Sequence, residues 1–247
     1  MLAALAQIVG GAWPTAAGLL FFVLGLAHGA GDENDGAIAR ITIIHALAYL
    51  VAGAAVAGLF LAAPLAGLVL FLALSAWHFA RSDCALAAMT RYAIAGLAVG
   101  GSALFRQTET LAIFGYVTGA DFPSSLIRIL AVIGGAGAAC AGVALVRSNR
   151  GFGHAIIALA AVALLHPVLA VGLIFLVAHA IPVQQRQLAT YGRGVVVRAV
   201  AVPSIVATVG ALLIGGMVLQ GILAAPFAIA LAFGMATPHM LTERLER

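Results

Sequence analysis

Long apolar segments separated by short polar stretches run through most of this chain of 247 residues. A helix needs about 20 apolar residues to cross a bilayer, and shorter helices can cross when packed inside protein. Nine segments meet this description: residues 14–29, 38–63, 64–81, 88–105, 124–146, 151–165, 167–183, 194–219 and 221–241. The stretch 106–123 is mixed in polarity and predicts an interfacial loop or half-helix. Alternation of apolar and polar residues is absent, which argues against a barrel.

The composition fits this pattern of segments. The chain is 64% hydrophobic and 8% charged, with a mean hydropathy of +1.16. A soluble domain carries about 25% charged residues, so this chain cannot cover a water-facing surface. We predict an all-α fold: a polytopic transmembrane helix bundle of about eight or nine membrane helices. Residues 1–247 are predicted to form a single integral membrane helical domain.

The arginine positions predict the orientation in the membrane. All twelve basic residues are Arg, and they lie singly near segment ends rather than in a stripe, which predicts no nucleic-acid partner. The nine crossings place Arg106 and Arg128 on the side of the N-terminus and the other ten Arg residues on the opposite side. The positive-inside rule makes the Arg-rich side cytoplasmic. We therefore predict a bacterial inner (cytoplasmic) membrane protein with its N-terminus outside and its C-terminus inside.

The same count of crossings places four histidines at one depth, on the cytoplasmic side. His28, His78, His179 and His239 lie at or near the C-terminal ends of odd-numbered segments. Ionisable side chains are costly inside a membrane, and imidazole is the commonest metal ligand. The pattern predicts a histidine cluster that binds a metal. His239 fits a ligand and an interfacial residue equally well, because polar residues follow it at once.

Three further histidines fit the cluster less well. His45 and His154 begin even-numbered segments on the cytoplasmic side, whereas His166 falls on the opposite face. We interpret all three as helix-packing or interfacial residues.

Acidic and aromatic residues accompany the first two histidines. Asp32 lies four residues after His28, so on a continuing helix its carboxylate can reach and orient that imidazole. Asp83 follows His78 within about one turn, and Trp77 directly precedes it. An interfacial aromatic belt also explains Trp77, but it does not explain His78.

The third histidine stands beside a proline and two amides. Pro182 follows His179 and is predicted to distort or end the helix there. Gln184 and Gln185 are neutral polar side chains that can hydrogen-bond a ligand or line a water path.

These motifs resemble the Brp/Blh family of integral membrane carotenoid oxygenases, which cleave β-carotene centrally to retinal. The resemblance rests on His28-Gly29-Ala30-x-Asp32, Trp77-His78-Phe79, the segment from His166-Pro167 through His179, and Pro238-His239-Met240. It spans most of the chain in the family's order. It implies an iron site held by histidines from separate helices, and His28, His78 and His179 fall on three of those positions. The family has a further histidine one turn after the third ligand, where this chain has Val183.

On this resemblance we predict a non-haem Fe(II) dioxygenase that cleaves a carotenoid-like polyene to retinal or a related apocarotenoid. The implied metal ligands are His28, His78 and His179, with His239 or His45 as a replacement for the missing one. Three protein ligands are enough for an oxygen-activating iron. The bilayer supplies the polyene, and O2 is the second substrate.

Four side chains are predicted to support this site. The two carboxylates are expected to orient ligands, and the two aromatic rings beside His78 are expected to contact the polyene. The carboxylates are those of Asp32 and Asp83, and the aromatic rings are those of Trp77 and Phe79.

Two other functions remain open from the sequence. The Val183 substitution favours a carotenoid- or retinoid-binding membrane protein, or a subunit of a membrane complex, that keeps the fold without catalysis. The second alternative is a haem protein with axial histidine pairs, although no segment carries two well-separated histidines on one face.

Overall fold

A computed structural model describes residues 1–32, 43–81 and 85–245. In this part of the chain the regular elements are helices, and there is no strand. Eleven continuous helices occur in this part of the chain. They are α1 (Leu2–Val9), α2 (Trp13–Asp32), α3 (Ile43–Ala62), α4 (Pro64–Arg81), α5 (Ala88–Gly96, continued by Leu97–Gly101 and Ser102–Phe105), α6 (Gln107–Thr118), α7 (Ser124–Val146), α8 (Phe152–Leu164), α9 (Pro167–Leu173, continued by Ile174–Ala180 and Ile181–Tyr191), α10 (Arg193–Leu219) and α11 (Ala225–Leu245). The all-α prediction is confirmed for the described residues.

The predicted apolar segments correspond to helices α2–α5 and α7–α11. The bounds agree at 64–81, 88–105 and 124–146, and helix α6 occupies the mixed stretch 106–123. Four of the described helices, α4, α7, α9 and α10, are long and apolar enough to cross a membrane. The predicted number of eight or nine membrane helices is therefore not confirmed and stays a prediction.

Helix α9 continues past the predicted boundary at residue 183. Residues 184–191 are mostly polar, so hydropathy alone ends the segment there, yet Gln, Arg, Leu and Ala all favour helix. Pro182 does not end the helix either. It lacks the N–H that would bond to the carbonyl four residues earlier, and the wider π-helical turn Ile174–Ala180 directly precedes it. The helix ends at Tyr191, and the next residue, Gly192, has a φ of 78°, which glycine adopts without strain.

The chain forms two compact units. The first comprises Met1–Gly25, Ser75–Tyr116 and Asp121–Val183, and the second comprises Leu26–Leu74, Val117–Ala120 and Gln184–Arg247. The prediction that 1–247 is a single domain stays a prediction.

Small residues let the helices of the first unit approach closely. Its buried core is rich in alanine, with Leu97, Val162 and Ile174 as its larger side chains. Helix α5 meets α7 with almost no space between their backbones. A Cβ added at Gly134 would overlap the carbonyl of Gly100, which belongs to a second π-helical turn. Close approach through small residues is how membrane helices gain packing energy.

The second unit is built around contacts between α3, α4 and α11. Helices α3 and α11 cross at Gly53, where an added Cβ would lie 2.7 Å from the carbonyl oxygen of Gly234. Nearby, the rings of Phe71 and Phe233 stack with centroids 3.9 Å apart, and Phe60 meets Phe233 edge-on. Aromatic packing and a glycine crossing together hold these three helices.

Gly134→Ala is expected to destabilise the protein, whereas Gly135→Ala is expected to be neutral or slightly stabilising. The first substitution forces α7 away from Gly100. The second adds a methyl group with no atom within 4 Å. Overpacking of this kind costs about 1–3 kcal/mol, and alanine in an open helical position favours helix. Thermal unfolding of the two purified variants in the same detergent checks this; equal melting temperatures would contradict the packing described here.

Candidate functional site

Two buried imidazoles meet inside the first unit. His78 lies in the last turn of α4, and His179 lies in the π-helical turn of α9. Both are 2% exposed. Their Nε2 atoms are 3.0 Å apart, and the rings cross nearly edge to face with centroids 4.8 Å apart. Residues 101 positions apart in the sequence are thus brought together at one point, and π-helical turns of this kind are frequent at functional sites.

The geometry of this pair fits two neighbouring metal ligands. As a hydrogen bond, the contact requires one Nε2 to donate its proton and the other to accept it. The same two nitrogens can share an ion. If each Nε2 binds a common metal at about 2.1 Å, the angle between the two bonds at the metal is about 90°. This is the angle between adjacent ligands of an octahedral site. Imidazole suits iron, copper and zinc, so the donor set does not by itself choose among them.

Phenylalanine rings surround His179. Phe79 meets its imidazole edge-on, with centroids 4.8 Å apart, and Phe175 lies on another side with centroids 6.0 Å apart. Phe22 of α2 packs on Phe175 at 5.3 Å. The imidazole pair is therefore in apolar surroundings, where water has little access and electrostatic interactions are strong.

Phe79 was selected from the sequence as a site residue, whereas Phe175 and Phe22 were not. A signal for Phe175 was available, because it precedes His179 by four residues and such pairs share a helix face. No pattern in the sequence connects Phe22 with either ring.

Five other predicted site residues have side chains outside the part of the protein that the structure describes. Helix α2 includes His28 and Asp32 in its backbone, and α11 includes His239. Their roles stay predictions, as do those of His45 and Asp83. Among the side chains that are described, no group of three or more His, Cys, Asp and Glu residues is placed to hold a metal ion. The described part of the site is thus a pair of ligand candidates.

Trp77 and Val183 are both described. The guanidinium carbon of Arg81 lies 5.9 Å from the centre of the Trp77 ring, a cation–π arrangement at the end of α4. The contact of Trp77 with substrate stays a prediction. Val183 is fully buried, one turn beyond His179.

His166 has a polar environment of its own, at the junction of α8 and α9. Its backbone N–H donates to Oε1 of Gln7 over 2.7 Å. Burial lowers the pKa of its imidazole below the ordinary value; Glu109 opposes this shift and Arg106 adds to it. Arg106 also donates to Glu109 and to the carbonyl of Leu164, each over 3.0 Å. These contacts fit the predicted packing or interfacial role of His166.

Comparison with known proteins gives one match. A family model described as beta-carotene 15,15'-dioxygenase matches residues 18–245. This range includes His78 and His179 and nearly the whole chain. No curated protein and no solved structure matches.

Proposed function

The chain belongs to the beta-carotene 15,15'-dioxygenase family, and from this premise we propose that it is an iron-dependent oxygenase of a carotenoid-like polyene. Its apolar helices and its family together indicate an integral membrane protein with carotenoid dioxygenase-like function. The observation that supports the iron site most directly is the contact of 3.0 Å between the Nε2 atoms of His78 and His179.

We propose that His28 joins His78 and His179 as the third ligand. Iron bound there supplies the one-electron chemistry by which O2 reacts with an alkene. In central cleavage one carbon–carbon double bond breaks, and each of its carbons takes one oxygen atom of O2 as a carbonyl. The reaction is balanced without a reductant, and retinal or a related apocarotenoid is the product.

The surroundings of the two imidazoles support a lipophilic substrate. Phe79 and Phe175 present apolar ring surface beside His179, which suits a polyene and keeps water from the reacting carbons. In this proposal the bilayer delivers the polyene, Trp77 also contacts it, and Asp32 and Asp83 orient imidazoles. Other membrane proteins are further candidate partners of the chain.

We also propose a bacterial inner membrane location with the N-terminus outside and the C-terminus inside, on the ten-to-two distribution of arginine. Reporter proteins fused separately to the two ends check this orientation. A reporter active only in the cytoplasm is expected to work at the C-terminus and to fail at the N-terminus. The reverse result, or activity at both ends, would overturn the count of crossings and the shared depth of the histidines.

A second candidate function is a carotenoid- or retinoid-binding membrane protein without catalysis. The observation that favours it is Val183, which has no metal-binding atom and is fully buried, with 0% of its surface exposed. The family's fourth imidazole is therefore replaced by packed apolar volume. Metal content and product formation distinguish this function from the oxygenase.

His179→Ala is expected to reduce the iron bound by the purified protein to background, whereas His166→Ala is expected to leave it unchanged. His179 contacts His78, while His166 lies in the polar junction near Gln7 and Arg106. Iron per protein is measured on both variants and the parent after reconstitution with Fe(II), and retinal formation is assayed alongside. Both variants remove one imidazole, so each controls for the other. Equal iron content in the two variants would refute the ligand assignment.

Val183→His tests the oxygenase against the binding protein. The new imidazole would stand four residues from His179, so it would point to the same helix face. On the oxygenase proposal the variant holds iron more tightly than the parent, and retinal formation rises or first becomes measurable. On the binding-protein proposal neither changes. Val183→Leu, which keeps the position apolar, is the matched control. If parent and Val183→His both lack iron and product, the oxygenase proposal should be abandoned.

A further inference from the structure

Helix α2 packs against α9 so closely that glycines are needed at two levels of the contact. At the first level, a Cβ on Gly18 would lie 2.5 Å from the carbonyl oxygen of Val168, and one on Gly172 would overlap the carbonyl of Gly18. At the second level, seven residues further along α2, a Cβ on Gly25 would overlap Cε1 of Phe175 and lie 2.9 Å from its Cδ1. The ring of Phe175 therefore occupies the space that a side chain at position 25 would need.

The Phe175 ring lies among three groups that limit its movement. Gly25 and Phe22, both of α2, border it, and the Phe22 ring packs on it with centroids 5.3 Å apart. The imidazole of His179 neighbours it within α9, with centroids 6.0 Å apart. The close backbone contact at Gly18 lies two turns away on the same pair of helices, so separating α2 from α9 at Gly25 would disturb that contact. A ring displaced from Gly25 changes its position relative to His179, its neighbour four residues further along α9.

We propose that Phe175, seated against Gly25, is a positioning residue that fixes the orientation of the His179 imidazole; the inference rests on the metal site proposed above. Phe175 and His179 belong to the same π-helical turn, whose backbone is wider than an α-helix and therefore needs support from its packing. Phe79 contacts the same imidazole edge-on, with centroids 4.8 Å apart. With both rings in place, Nε2 of His179 is held toward Nε2 of His78.

The experiment compares the parent with Gly25→Ala, Phe175→Leu and the double variant. Leucine lacks the ring atom that a Cβ at position 25 would overlap, so the double variant relieves the collision. The control is Gly142→Ala, another helical glycine whose added Cβ would meet no atom within 4 Å. Metal-free protein is titrated with Co(II), and the visible spectrum of the bound ion reports the geometry of its ligands. Thermal unfolding of the metal-free proteins is recorded separately.

Gly25→Ala is expected to weaken Co(II) binding about 10- to 100-fold, the usual effect of disturbing a group that orients a metal ligand, and to shift the visible bands. Phe175→Leu should show a smaller loss, and the double variant should bind like Phe175→Leu rather than like Gly25→Ala. Gly142→Ala should match the parent. A purely structural role would lower the unfolding temperature and leave the Co(II) spectrum of the folded protein unchanged.

The possible failures have different meanings. If folded Gly25→Ala keeps the parent's Co(II) affinity and spectrum, the positioning role is overturned and the metal site stands. If Gly25→Ala does not fold, Phe175→Leu decides: a changed spectrum supports the role, and an unchanged one overturns it. If the parent itself binds no Co(II), the proposed metal site fails and this inference fails with it.

Discussion

The contact between two buried imidazoles is the constraint to which the first unit is adapted. Nε2 of His78 and Nε2 of His179 can approach to 3.0 Å only if a single proton, or an ion, lies between them. The approach also requires the end of α4 to lie against the middle of α9, in a region from which water is largely excluded. A contact so specific in distance and tautomer is not a by-product of apolar packing, since two leucines would fill the same volume without these requirements.

The helix packing around this contact explains the use of glycine. Helices in a membrane gain no hydrophobic energy from meeting each other, so they rely on close packing. In the first unit, α2 meets α9 at Gly18 and α5 meets α7 at Gly134, in both places with backbone against backbone. Such crossings tolerate little adjustment, and they allow an aromatic ring such as Phe175 to be held where a flexible interface would let it turn.

The sequence predicted the features that depend on local chemistry. Hydropathy marks 64–81 and 124–146 because apolar length is a property of the segment itself. His78 and His179 could be selected because an imidazole in an apolar segment needs a reason to be there. The end of α9 could not be predicted in this way, since polar residues after 183 are compatible with a helix that continues beyond the apolar region.

Features that depend on contacts between helices could not be predicted from the sequence. Nothing in the sequence around Gly25 distinguishes it from Gly142. Yet the space beside Gly25 is filled by the ring of Phe175, whereas the space beside Gly142 is open. The π-helical turn that carries His179 is equally hard to predict, because no pattern in residues Ile174–Ala180 distinguishes it from an α-helix.

Val183 is the position at which this chain departs from the family pattern that its motifs resemble. The position one turn after His179 is fully buried and holds an aliphatic side chain, so it presents no metal-binding atom. In the proposed iron site, the donor that completes coordination beside His78 and His179 is therefore not the residue at position 183. The chemistry of the site consequently depends more on which helix supplies that donor than on the substituted position itself.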